Sequence, residues 1–322
     1  MAATAAARAA VVCALYLNAS SSPPGSLFFG RVDTATGAVS DSFEAVTAAA
    51  GERLRAGDVA GGARGASDVW LALEGGGEAI LAVNAANRSA GRRAVAAPPG
   101  RRGAFSVLHL AGDSGGAGAA ALLVAADASW AVLADIASAA SSVELADLSA
   151  AYLHGGLDVA GGGAAAIDWR SRFVWLSARN SSVGCALDGS PAPVVFPMPF
   201  KQRVAAVRWS ILFDDPNSGG PGIVALAGDE ASGAVTLFGS FVPGSGGFDW
   251  FEVVAYNASV ALGAAAAAVE GPDGGSSLMF LGLKDAASGA ALVSVVDLMK
   301  NAEVSRVALP AELSLVELVA CA

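Results

Sequence analysis

Phe28 to Val46 reads FFGRVDTATGAVSDSFEAV: an apolar strand, a turn opened by Asp33, then a second strand. The plan returns as ILAVNAANRSAGRRAVAA from Ile80, AVLADIASAASSVELADL from Ala131 and GCALDGSPAPVVFPMP from Gly184. It returns again as LFGSFVPGSGGFDWFEVV from Leu237 and LVSVVDLMKNAEVSRVALP from Leu292. The turns open at Asp33, Asn84, Asp135, Asp188, Ser240 and Asp297, separated by 51, 51, 53, 52 and 57 residues. Unrelated hairpins would not keep step in this way, so the chain is a tandem repeat.

Working outward, DVWLAL, ALLVAAD, FVWLSA, GIVALAG and LMFLGL each precede one of the last five hairpins, and Asp, Asn, Ser and Gly punctuate the joints. Four strands per period of about 50 residues is the pattern of a β-propeller. The sequence therefore predicts one all-β domain over 1–322: a six-bladed β-propeller with four antiparallel strands in each blade. The repeats fall near 11–46, 55–98, 104–149, 157–199, 204–257 and 260–310, followed by a closing strand at 312–321. ELSLVELVACA has no blade of its own and the first repeat lacks an innermost strand. Pairing the two removes two exposed edges and closes the ring. Antiparallel pairing also brings Cys13 toward Cys321, close enough for a disulfide in an oxidising compartment. Cys185 has no evident partner and reads as a core residue.

The fourth repeat, AAAIDWRSRFVWLSARNSSVGCALDGSPAPVVFP, resembles the YWTD blade of the LDL-receptor class through Ile167, Asp168, Trp169, Trp175, Leu187, Asp188, Gly189 and Ser190. The match is confined mainly to residues 164–197, within a chain whose repeat also suits TolB-like propellers. The resemblance implies a six-bladed ring, with Asp168, Trp169 and Trp175 as structural residues.

The formal charge is -10. An acidic surface is repelled by phosphates, which argues against nucleic acid as a partner. No apolar run reaches the roughly 20 residues that span a bilayer. Of seven Asn, four open N-x-S sequons: Asn18, Asn87, Asn180 and Asn257. That excess favours a glycosylated, secreted protein. Arg8 and the apolar stretch to Leu17 have the outline of a secretory leader. VVCALYL reads equally as a strand, and cleavage would remove Cys13.

Gly112-Asp113-Ser114-Gly115-Gly116 is identical to the nucleophile segment of chymotrypsin-like proteases, but that likeness ends with those five residues. His109 lies too near Ser114, and His154 lies downstream. The propeller register explains the string instead. Gly115-Gly116, Gly219-Gly220 and Gly274-Gly275 fall in one equivalent turn of three repeats. Asp214-Asp215-Pro216-Asn217 reads as a solvated turn rather than a Ca²⁺ loop.

A rigid propeller suits binding of a protein or glycan partner as a monomer, with no cofactor. Phe248, Trp250 and Phe251 are the candidate aromatic contacts, and Arg92, Arg93, Arg101 and Arg102 the candidate basic ones. The alternative is a lactonase- or esterase-type hydrolase using Ca²⁺ or another divalent ion in the central channel. Such propellers hold the ion with inner-strand carboxylates, and the candidates here are Asp58, Asp158, Glu312 and Glu317, with His109 beside them. An intracellular WD40-like scaffold is a third reading, one that lacks the Gly-His and Trp-Asp signatures.

Overall fold

A computed structural model describes residues 11–20, 26–47, 53–61, 68–74, 79–84, 87–112, 119–127, 129–136, 143–149, 164–168, 173–177, 181–186, 194–197, 204–215, 220–229, 231–241, 250–270 and 277–319. The elements bounded there are all β-strands. The chain begins with β1 (Val11–Asn18), β2 (Ser26–Asp33) and β3 (Val39–Thr47) of sheet 1. Sheet 2 follows with β4 (Arg53–Gly61), β5 (Asp68–Glu74), β6 (Ala79–Asn84) and β7 (Ser89–Ala94). Sheet 3 holds β8 (Phe105–Gly112), β9 (Ala119–Ala125), β10 (Ala131–Asp135) and β11 (Val143–Asp147). Sheet 4 holds β12 (Ala164–Asp168), β13 (Phe173–Ser177), β14 (Ser181–Ala186) and β15 (Val194–Pro197). Sheet 5 holds β16 (Val204–Asp215), β17 (Gly220–Asp229), β18 (Val235–Phe241) and β19 (Trp250–Ala255). Sheet 6 holds β20 (Val260–Glu270), β21 (Ser277–Asp285), β22 (Ala291–Asp297) and β23 (Ala302–Ala308). The last strand, β24 (Leu313–Val319), returns to sheet 1.

Among the described residues these are six antiparallel four-stranded sheets. Five follow chain order from first strand to fourth, while sheet 1 runs β24-β1-β2-β3. Its β24–β1 ladder extends from Cys13 opposite Val319 to Asn18 opposite Leu313. The first strand of each sheet packs beside the first strand of the next: β4 by β8, β8 by β12, β12 by β16, β16 by β20, β20 by β24 and β24 by β4.

The period-2 geometry of a strand explains why charged residues are sparse here. In β22 every residue is buried. Ala291, Val293 and Val295 join a core with Val12, Ala14, Tyr16 and Leu315 of sheet 1. Leu292 and Val296 turn the other way, into a core with Val224, Leu226 and Leu237 of sheet 5. A strand between two neighbouring sheets has no solvent side, so alternation sorts partners instead of separating core from water. Ile80 of sheet 2 shares a third core with Leu123 and Val132 of sheet 3.

A turn of the form Asp-x-x-Ser/Thr-Gly recurs in three hairpins. Asp285 Oδ1 accepts the amides of Ala287 and Ser288 and the Ser288 hydroxyl, at 3.2, 2.7 and 2.7 Å. Gly289 donates its amide to the Asp285 carbonyl at 2.8 Å and has φ +72°, a left-handed conformation that glycine reaches without steric cost. The turn at Asp229 repeats these bonds through Ala231, Ser232 and Gly233. In the turn at Asp33, Ala35 and Thr36 amides bind Oδ1, and Gly37 has φ +74°.

Candidate functional site

Antiparallel order gives every sheet two ends. Turns between first and second strands, and between third and fourth, lie at one end. Second-to-third turns and the links from one sheet to the next lie at the other. Asn18 closes β1 at a second-to-third turn, and Asn257 sits in the link from β19 to β20. Asn180 falls between β13 and β14, also a second-to-third turn, but outside the described residues. Asn87, between β6 and β7, belongs to the opposite kind of end.

Asn257 and Asn87 are exposed, and Asn18 is partly so. Asn18 Oδ1 accepts the Ser20 amide at 2.9 Å and its hydroxyl at 2.6 Å. Asn257 Oδ1 accepts the Ser259 amide at 3.1 Å and also binds the Ser259 hydroxyl. In both sequons the carboxamide oxygen is engaged by the serine two residues on.

The aromatic candidates lie at a third-to-fourth turn, between β18 and β19. Phe248 is outside the described residues, and so is the Trp250 side chain, whose backbone pairs with Ser240. Phe251 is committed to packing. It stands opposite Gly239, where an added Cβ would come within 2.8 Å of its ring. Sequence reasoning could have found this from the glycine in the partner strand, which leaves room for a ring to lie across it.

Of the basic candidates, Arg101 is balanced within the chain. Its Nη2 reaches Glu144 Oε1 at 3.1 Å and Asp147 Oδ2 at 2.6 Å, and its Nε reaches Glu144 at 3.3 Å. Donating hydrogen bonds to Glu144 and then Asp147 raises the guanidinium pKa further. Burial pushes the Asp147 carboxyl up, but bonds from Ser149 and Arg101 outweigh it and leave the group below its ordinary value. Arg102 is exposed, and its carbonyl accepts the Trp130 indole N–H at 3.1 Å. Arg92 is exposed, and the Arg93 side chain lies outside the described residues.

The divalent-ion candidates divide. Asp58 is on β4, His109 on β8 and Glu317 on β24, and β4 packs beside both of the other first strands. Each stands at a register shift: Asp58 between Leu54 and Val59, His109 after Val107, and Glu317 where the β1 register breaks at Leu15/Tyr16. Their side chains lie outside the described residues, as does Asp158 altogether. Glu312 is exposed just before β24, and its carbonyl accepts the Ala19 amide at 2.9 Å. Among the described residues no three His, Cys, Asp or Glu side chains converge. No described helix is long and apolar enough to cross a membrane.

One polar cluster escaped the sequence reading. Ser294, with 0% exposure, donates its hydroxyl to Glu303 Oε1 at 2.6 Å. A hydroxyl has one proton, so the 2.7 Å contact between Tyr256 and Ser294 must be donated by the tyrosine. Arg306 grips Glu303 through Nε at 2.7 Å and Nη2 at 2.6 Å, and lies 5.2 Å from the Tyr256 ring centroid. Burial pushes the Tyr256 hydroxyl up to about 12. The cluster ties sheet 5 to sheet 6 and, being closed, offers no reactive group. Cys13 is buried and disulfide-bonded. Cys321 and the Cys185 side chain lie outside the described residues.

No known protein family matches this sequence, and no curated protein sequence matches it either. Solved structures do. A TolB-like protein from Agrobacterium tumefaciens superposes with TM-score 0.51 at 9% identity, over 92% of this chain and 88% of that one. A protein of unknown function from Desulfotomaculum acetoxidans gives TM-score 0.51 at 9% identity, over 95% and 89%. The fold is propeller-like.

Proposed function

We propose that the chain is a six-bladed β-propeller that binds a protein or glycan partner without catalysis. Each sheet is a blade, the single domain spans 1–322, and β24 closes the ring on β1. The cycle of first-strand contacts supports this ring, and the residues shared with YWTD blades mark sheet 4 as one of its units. Cys13–Cys321 fastens the seam, which suits a secreted monomer.

The observation that carries the binding reading is the sorting of the two ends. In a ring of like-oriented blades, Asn18, Asn180 and Asn257 decorate one face. The third-to-fourth connection carrying Phe248 and leading to Trp250 belongs to the other end, which of the four sequons holds only Asn87, on a different blade. Aromatic rings in a glycine-rich loop supply contact area at small entropic cost. The test is binding to defined arrays of glycans and purified surface proteins by wild type and by the Phe248→Ala/Trp250→Ala variant. A hit that the variant loses by about tenfold or more supports the reading. Hits equal for both proteins place binding elsewhere and overturn it.

The neighbouring positions of Asp58, His109 and Glu317 favour a second reading, a divalent-ion hydrolase. Elemental analysis of purified protein separates the two. A stoichiometric divalent ion lost from Asp58→Asn and Glu317→Gln variants supports the hydrolase.

A further inference from the structure

Sheet 1 is the one sheet described here whose first strand comes from the far end of the chain. Six residue pairs join β24 to β1, with a break in register between Leu15 and Tyr16. One more backbone bond, Ala19 to Glu312, extends the ladder at the Asn18 end. At the other end stands Cys13, 4% exposed, disulfide-bonded and opposite Val319. The chain has three cysteines. Cys185 belongs to β14 of sheet 4, whose first strand packs between those of sheets 3 and 5. Cys321 lies outside the described residues but follows Val319, the residue opposite Cys13, by only two positions in sequence.

We propose that the Cys13–Cys321 disulfide is a redox latch on the seam: reducing it lets β24 leave sheet 1 while the other five sheets stay formed. This rests on the ring reading given above. A hairpin partner in the same sheet holds every other strand close in sequence. β24 is tethered in sequence through the short 309–312 link to β23, so without the latch its docking depends on the six-pair ladder to β1 and on Leu313, Leu315 and Leu318 in the core shared with sheet 6. Local opening of this kind is governed by the contacts of the opening unit alone.

The chemistry is thiol–disulfide exchange with a dithiol. A reductant thiolate attacks one sulfur, the S–S bond breaks, and a mixed disulfide forms. The second reductant thiol displaces the remaining cysteine. Two electrons and two protons pass to the protein, leaving two cysteine thiols and an oxidised, cyclised reductant.

Amide hydrogen exchange tests it on the full chain, oxidised and after dithiothreitol followed by iodoacetamide, with the alkylated cysteines identified by mass spectrometry. The expected result is exchange about tenfold faster across β24, with β9, β10, β21 and β22 changed less than about twofold. Cys321→Ser should exchange fast without reductant, and Cys185→Ser should stay slow. New label on Cys13 and Cys185 would sink the pairing and the latch with it. Label on Cys13 and Cys321 with uniform or unchanged exchange would leave the ring standing and overturn the latch.

Discussion

The turn at Asp33 in sheet 1 and the turn at Asp285 in sheet 6 share their chemistry: an aspartate gathering amides, a serine or threonine, and a glycine at φ +74° or +72°. Their surroundings differ. A Cβ on Gly289 would meet nothing within 4 Å, whereas one on Gly37 would come within 2.2 Å of the Ala308 carbonyl of sheet 6. Sheet 6 is also built from consecutive hairpins, while sheet 1 waits for β24. Local chemistry makes the turn in both places. In sheet 1 the turn and the strands around it are also held by contacts distant in sequence, so its stability depends on sheet 6 and on β24.

The largest effect expected is from deleting residues 313–322. Removing Leu313, Leu315 and Leu318 forfeits about 5–8 kcal/mol of burial. Thermal denaturation followed by circular dichroism should show sheet 1 lost and the remaining five sheets, still formed at low temperature, melting well below the full chain. A truncated protein that melts like the full chain would show that sheet 1 does not need its fourth member.

Next comes Gly37→Ala, which forces both an unfavourable backbone and a collision with a fixed carbonyl, and should cost about 3 kcal/mol or more in urea titration. Alkaline pH reaches the tie between sheets 5 and 6. Tyr256 is held at about 12 when folded against 10.0 as the ordinary value. The folded state therefore binds that proton more tightly. Its stabilisation, up to about 2–3 kcal/mol, is complete below pH 10 and is lost as pH rises from about 10 toward 12. Tyr256→Phe should flatten that alkaline limb. Ser294→Ala leaves the Tyr256 hydroxyl and Glu303 short of a buried partner and should cost about 1–3 kcal/mol. Gly289→Ala, paying only for its backbone, should cost about 1–2 kcal/mol at most. Equal losses at Gly37 and Gly289 would break the comparison between the two sheets.

Much of the architecture was legible because it is written locally. The hairpin openings at Asp33, Asn84, Asp135 and Asp297 are third-to-fourth turns in the structure, and the segments holding Gly115-Gly116, Gly219 and Gly274-Gly275 all join a first strand to a second. The turns at Asp229 and Asp285, 56 residues apart, share an Asp-x-x-Ser-Gly signature and are equally readable as a second turn recurring with the repeat. Other features had no local trace. Glu144 and Asp147 lie 43 and 46 residues from Arg101, so nothing near the arginine foretells that its charge is spent within sheet 3. Tyr256 and Ser294, 38 residues apart on different sheets, meet only because those sheets pack face to face. Of the binding candidates, Phe251 packs against a core and Arg101 is paired within the chain, and neither outcome is written in the loop sequence around it.

The most direct test of the closed ring is peptide mapping of the unreduced protein by mass spectrometry. A covalent link between the peptides holding Cys13 and Cys321 is the predicted result, since only a seam between the first and last strands of the chain brings them together. Cys13 linked to Cys185, with Cys321 free, would contradict it.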